Sequence, residues 1–204
     1  MLTDQPEPFG PAYLKADDPP SKRKILQTAL RLFAEHGVDA ISVRRIAEEA
    51  GYTNPALFKF FDTKDSLALY LFESCYLQLF DHLNAAIGNV GTLEEQLDAL
   101  LDVFLAQLEQ DLDAFLYVQD NLRQFWPRVS AKARRKSILG LIRALLRRGI
   151  EEGSIRRTDV NLLVAALTGT LQQFARMLHF REFAGGPNNW RAPLKTLIRH
   201  IVTP

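Results

Sequence analysis

Apolar residues recur along this chain with the period of an α-helix, and nowhere do they alternate in a sustained period of two. Ile25, Ala29, Leu32 and Phe33 stand at i, i+4, i+7 and i+8, and Gly37 follows where a helix C-terminus favours glycine. Ser42 can cap a second helix whose apolar face is Val43, Ile46, Ala47 and Ala50, with Gly51 as its stop. Pro55 suits the first turn of a short third helix capped by Asn54 or Thr53. Thr63 can cap a fourth, which runs through Leu67, Tyr70, Leu71, Ser74 and Leu77 towards Gly88. Further helices are expected at about 92–110, 112–126, 128–152, 159–183 and 190–202, with breaks at Gly91, near Asp111, at Pro127, at Gly153 and at Gly185-Gly186-Pro187. The expected fold is all-α, with about nine helices.

The length of 204 residues, with 47% hydrophobic and 24% charged, fits a globular chain and excludes a wholly disordered one. Cys75 stands alone, so no internal disulfide forms, and with four scattered histidines it supplies no metal-ligand set. No cofactor is expected. A cytoplasmic location is expected, since no apolar run nears the roughly 20 residues that span a bilayer and MLTDQPEPFG lacks the pattern of a signal peptide.

Charge is segregated along the chain. Residues 91–122 carry eight acids and no Lys or Arg, whereas residues 123–148 carry nine cations and no acid. The plain reading is two helices with solvated faces lying near one another. Residues 1–20 hold five of the ten prolines, at 6, 8, 11, 19 and 20. A helix cannot run through that spacing, so 1–20 is expected to be a flexible or loosely docked arm.

Three short helices over 21–67, the second and third joined by a tight turn at Gly51, make a helix-turn-helix module within 42–61. Such a unit lays its second helix in the DNA major groove and needs polar residues at that helix's start, with cations nearby for phosphates. TNPALFKFFDTK offers Thr53, Asn54, Lys59 and Lys64, and Arg44 and Arg45 add charge on the supporting helix.

The stretch KILQTALRLFAEHGVDAISVRRIAEEAGYTNPALFKFFDTKDSL resembles the amino-terminal domain of TetR-family transcriptional regulators. The likeness rests on Ala29, Leu32, Phe33 and Gly37, on the Ser42-to-Gly51 helix, and on the aromatic-x-aromatic-Phe pattern before a K-D-x-L start. It implies that Ser42 caps the supporting helix and that Arg44 or Arg45 reaches a phosphate or groove edge. Thr53, Asn54 and Ala56 would face bases, Phe58 and Phe60 would flank Lys59, and Thr63 with Lys64 would hold phosphate at a helix start. Phe58 and Phe60 depart from the family, which places Tyr, or His or Tyr, there; a phenyl ring cannot donate to phosphate. Pro55 replaces a smaller residue.

Residues 68–204 are expected to form an effector-binding and dimerisation body, similar to the family's. Val160, Leu163, Leu167, Leu171 and Phe174 lie along one stripe of a long helix and are the expected dimer seam; Leu162, Ala166, Gly169, Gln173 and Met177 form a second stripe. A helix apolar on two sides must be buried on two sides. Aromatic residues cluster in helices that would wall an apolar chamber: Phe72, Tyr76, Phe80, Phe104, Tyr117 and Trp126, with Gln124, Gln172 and Arg176 as polar anchors.

Catalysis is not expected, because His82, His179 and His200 stand far apart and no phosphate-cradling glycine motif occurs. The expected function is a sequence-specific DNA-binding regulator, a homodimeric repressor released by a small apolar or aromatic effector, with a double-stranded operator as partner and no membrane. The alternative is a helical adaptor that works through protein partners with weakened DNA reading, for which Phe58 and Phe60 are the argument.

Overall fold

α1 (Pro20–His36) opens the ordered helices of the computed structural model, which describes residues 11, 13–88 and 91–202. α2 (Val43–Ala50), α3 (Asn54–Phe58), α4 (Lys64–Gly88) and α5 (Leu93–Phe125) follow. The chain continues with α6 (Ala131–Arg134), α7 (Ile138–Glu151), α8 (Val160–His179) and α9 (Arg191–Val202). The described residues hold no strand, so the fold is all-α as the periodicity predicts. None of these helices is long and apolar enough to cross a membrane.

The break expected near Asp111 is present: α5 loses helical geometry there (φ −155°, ψ 77°), so its span holds the two helices expected at 92–110 and 112–126. One boundary differs from the sequence expectation. The helix expected over 128–152 is instead divided, because two serines each start a new helix. Ser130 Oγ accepts from Ala133 N at 3.2 Å, and Ser137 Oγ accepts from Gly140 N at 3.0 Å. A serine that satisfies an orphan donor stabilises a helix start more than a helix interior.

The contacts group the chain into two compact units. The first comprises the residues up to Tyr76 with Asp113–Val129, and the second comprises Leu77–Leu112 with the residues from Ser130 onward. α4 and α5 each contribute to both units.

In the first unit α1 packs on α2 and α3 through Ile25, Leu26, Ala29, Leu32 and Phe33, all at most 1% exposed. The end of α5 completes this core. Tyr117 stacks on Phe33 with centroids 6.0 Å apart, and its buried hydroxyl donates to the Ala68 carbonyl at 2.7 Å. Burial drives the Tyr117 pKa upward, since the phenolate would lie in apolar surroundings. Arg128 forms a two-pronged pair with Asp65 and holds that carboxyl below its ordinary range.

The residues before α1 join this unit too. Of the arm expected over 1–20, residues 1–10 and 12 lie outside the described residues, but Tyr13 is 5% exposed and its carbonyl accepts from Tyr70 Oη at 3.2 Å. Asp18 Oδ2 accepts from Lys15 N at 2.8 Å, and Asp18 Oδ1 accepts from Lys22 Nζ at 2.6 Å. Burial alone would raise the Asp18 pKa; the bonds from Lys22 and Lys15 outweigh it and hold the carboxyl below its ordinary range.

In the second unit three residues of the acidic run pair with cations of α9. Glu94, Asp98 and Asp102, four residues apart on α5, pair with Arg199, Lys195 and Arg191, four apart on α9. The basic run is divided among other contacts: Arg128 with Asp65 in the first unit, Lys136 with Asp81, and Arg148 with Gln96 and Glu152. α7 packs on α8 and α8 on α9. Gly149 permits one close approach, because a Cβ there would stand 2.7 Å from Ile155 Cδ1 and 2.8 Å from Leu93 Cδ2. Among the described residues no group of three or more His, Cys, Asp or Glu is placed to hold a metal ion.

Candidate nucleic-acid interface

The supporting helix is fixed at both ends. Ser42 Oγ accepts from Arg45 N at 3.2 Å, which satisfies one donor of the α2 start. At the other end Gly51 is left-handed (φ 78°, ψ 26°), and Tyr52 N donates to the Ala47 carbonyl at 2.8 Å. Only a residue without Cβ takes that conformation cheaply, and the reversal it makes delivers the chain into α3 within a few residues.

α3 is held by a single buried side chain, Leu57, which is 0% exposed. Phe61, 8% exposed, packs its ring 5.4 Å from Tyr70 and secures the segment just after it. Thr53, Asn54, Pro55, Phe58 and Lys59 are exposed, and Ala56 and Phe60 are half-buried. Phe58, at 47% exposure, is therefore no core residue. Thr53 takes the N-cap position of α3 without spending its hydroxyl on a capping bond. The α3 start thus presents a hydroxyl and a carboxamide to solvent on a short, anchored helix.

The surrounding cations differ in how committed they are. Arg44 Nε donates to Glu48 at 2.7 Å. Arg45 Nε donates to Glu49 at 3.0 Å, and Arg45 Nη2 stands 3.0 Å from His36 Nε2. Glu49 also accepts from Arg31 at 2.5 Å, and hydrogen bonds from Arg31 and Arg45 keep its carboxyl below the usual range. Lys64 Nζ donates to the Val38 carbonyl at 2.8 Å, strapping the start of α4 to the loop after α1. Thr63 Oγ1 accepts from Ser66 N at 3.0 Å, which makes it the cap the sequence predicts. Lys59 is exposed, and no acid among the described residues is paired with it.

Comparison with known proteins matches this arrangement to a family. Residues 25–71 match the profile of bacterial regulatory proteins of the tetR family, and residues 90–176 match the tetracyclin repressor-like C-terminal domain. Between them the two cover more than half of the chain. The chain belongs to the TetR family. It is 25% identical over 157 residues to a fatty acid metabolism regulator protein of Bacillus subtilis, covering 76% of this chain and 81% of that one. The ketosteroid transcriptional regulator KstR2 of Mycobacterium tuberculosis shares the fold at TM-score 0.79 and 21% identity, over 93% of this chain and 97% of that one. FadR from Bacillus subtilis, solved in complex with stearoyl-CoA, shares it at TM-score 0.66 and 19% identity, over 86% and 96%. As a TetR-family member this protein is a DNA-binding transcriptional regulator, with its helix-turn-helix in the first unit.

The residues expected to wall an effector chamber fall in both units. In the first, Phe72 lies between Tyr76 (6.2 Å between centroids) and Phe125 (5.6 Å), Tyr76 meets Trp126 at 4.8 Å, Tyr117 is spent on Ala68, and Gln124 is exposed. In the second, the Phe80 ring lies under Lys136 Nζ at 5.6 Å, Phe104 meets Phe174 at 6.4 Å, Gln172 is half-buried and Arg176 is exposed. Sequence reasoning did not anticipate a cleft of about 530 Å³ in the second unit. It is lined by Leu97, Leu101, Ile198 and Val202 together with Asp98, Lys195 and Arg199, and by none of the expected effector residues.

The two stripes of α8 are sorted in one specific way. Leu163, Leu167 and Phe174, expected at the dimer seam, are 3%, 2% and 5% exposed within this one chain. Leu171 and Val160 are half-buried beside them. That stripe is already the core of its own unit, because α7 and the aromatic rings of Phe104, Phe183 and Trp190 lie against α8. Leu162, at 67% exposure, and Ala166, Gly169 and Gln173 are the solvent-facing stripe.

Proposed function

We propose that the protein is a homodimeric repressor that reads a two-fold operator through α3 and releases it when an apolar small molecule binds the helical body. The observation that carries the reading is the uncovered start of α3. A groove-reading helix needs unspent hydrogen-bonding groups at its first turn and apolar anchorage behind it. Thr53 and Asn54 provide the former and Leu57 the latter. In this reading Thr53, Asn54 and Ala56 face bases and Lys59 holds phosphate. Ser42 and Thr63 aim their helices at the backbone, Arg44 and Arg45 exchange glutamates for phosphate, and Lys64 serves chiefly as a strap. Phe58 and Phe60 add apolar contact in place of a hydroxyl.

The dimer is assigned to the outer stripe of α8 and to Leu197 of α9, which is 45% exposed. Small residues at 166 and 169 permit close approach of a partner helix, and a two-fold axis sets each stripe against its copy.

The effector is assigned to an apolar chain or ring, ahead of a sugar or nucleotide. Support comes from the aromatic residues above and from the likeness to a fatty acid regulator and to a fold neighbour solved with stearoyl-CoA. α4 carries residues of both units, from Lys64 beside the helix-turn-helix to Phe80 in the body, so a ligand beside Tyr76 or Phe80 has an element through which to act. The coupling requires that the ligand prefer one state of that element.

The test is to select bound fragments from genomic DNA with purified protein, then titrate the complex with stearoyl-CoA. Two-fold symmetric fragments and release at micromolar ligand are expected. Shifts that ignore sequence and salt would favour the adaptor reading, and release by sugars alone would overturn the effector class.

A further inference from the structure

The run Lys22-Arg23-Lys24 opens α1, and its composition suggests a phosphate-binding patch. Its three cations are not equivalent. Lys22 Nζ bonds Asp18 Oδ1 at 2.6 Å, and the two side chains are 18% and 5% exposed. The same ammonium lies 5.4 Å over the Tyr70 ring. Arg23 turns back on the preceding segment: its Nε donates to the Asp18 carbonyl at 3.0 Å, and its Nη2 donates to the carbonyls of Lys15 and Ala16 at 2.8 and 2.9 Å. Lys24 is exposed, and no acid among the described residues is paired with it.

We propose that Tyr13–Pro19 is a built-in clasp of the DNA-binding unit, which withholds Lys22 and Arg23 from DNA phosphates and leaves Lys24 as the cation of this run that meets them. This rests on the DNA-binding role of the first unit.

Phosphate binding gains free energy when a cation releases condensed counterions. Lys22 already has a carboxylate at contact distance in a mostly buried pair, so moving it to a phosphate would strand Asp18, which is expensive to leave unpaired. Arg23 carries a fork of donors suited to phosphate, but the fork is closed on three carbonyls of the segment before α1, of which that of Lys15 also accepts from Asp18 N at 3.1 Å. Arg23 and Asp18 are therefore positioning residues, which tie the chain before α1 to α1 and, through Tyr13 and Tyr70, to α4.

The experiment measures binding of the full-length protein to a fluorescent duplex of arbitrary sequence, about 30 base pairs long, at a series of salt concentrations. Lys24→Ala should flatten the logarithmic salt slope by about one unit per head, and Lys22→Ala should leave it unchanged. Asp18→Asn should steepen it by about one unit per head, because Lys22 is then released to the phosphates. Arg23→Ala should leave the slope nearly unchanged while trypsin cuts after Lys15 at least ten-fold faster. A purely structural role for Asp18 would not steepen the slope. Should Arg23→Ala fail to fold, the Asp18→Asn and Lys22→Ala slopes still decide the matter. Equal flattening by Lys22→Ala and Lys24→Ala would overturn the clasp. Loss of all duplex binding in the unaltered protein would instead overturn the DNA-binding reading on which it rests.

Discussion

Glutamate at both Leu162 and Ala166 should leave a folded monomer that no longer holds its operator. Both positions face solvent, and Leu162 is 67% exposed, so neither change disturbs the packing of α8. Across a two-fold axis the four added carboxylates would face one another in an apolar seam, and unpaired charges there cost several kcal/mol. A monomer docks one half-site at a time, and losing the second attachment weakens binding by about 10²–10⁴. Light scattering should report the chain mass, with a melting temperature within a few degrees of the parent. The contrasting change is Leu167→Glu. Leu167 is 2% exposed inside its own unit, so a charge there should unfold that unit rather than merely separate the protomers. An unchanged dimer in the Leu162→Glu, Ala166→Glu protein would move the interface elsewhere.

Leu57→Ala should abolish DNA binding by unfixing α3. A five-residue helix has no stability of its own in water, and Leu57 is its one buried side chain. Truncating a fully buried leucine costs about 2–5 kcal/mol, most of it here falling on the pocket that α1, α2 and α3 share. Phe58→Ala, one residue on, removes a half-exposed ring and should change stability by no more than about 0.5 kcal/mol. Hydrogen exchange read along α1 and α2 separates the two variants. If Leu57→Ala cost less than about 1 kcal/mol, α3 would not depend on this anchor.

The helix-turn-helix was legible because its determinants are local. Ser42, Gly51 and Thr63 act within four residues of their own positions, and each does what its residue type and place predict. Partners distant in the chain were not legible. Glu94, Asp98 and Asp102 of α5 pair with residues 105, 97 and 89 positions away on α9, in a register that only the antiparallel packing of the two helices creates. The two stripes of α8 differ in residue size, one built of large apolar side chains and the other carrying Ala166, Gly169 and Gln173. Periodicity marks two stripes but not which of them the chain's own core covers; Leu163, Leu167 and Phe174 of the expected seam are buried within their own unit.

Backbone acceptors leave no trace in a sequence either. Arg23 and Lys64 read as phosphate cations, while each donates to carbonyls of loop residues. The described residues 13–19 before α1 form no helix, and Tyr13 is buried. A proline-rich segment is ordered when its carbonyls are met from outside, as Arg23 meets those of Lys15, Ala16 and Asp18.

In the proposed mode of binding α3 reads bases while the cations beside it hold the backbone. The measurement that tests it most directly is the base preference and salt dependence of selected operator fragments, compared among the unaltered protein, Asn54→Ala and Lys59→Ala. Lys59→Ala should weaken every sequence alike and flatten the salt slope by about one unit per head. Asn54→Ala should keep the slope and lose discrimination worth about 1–3 kcal/mol at one position in each half-site. An Asn54→Ala protein with an unchanged base preference would contradict the account.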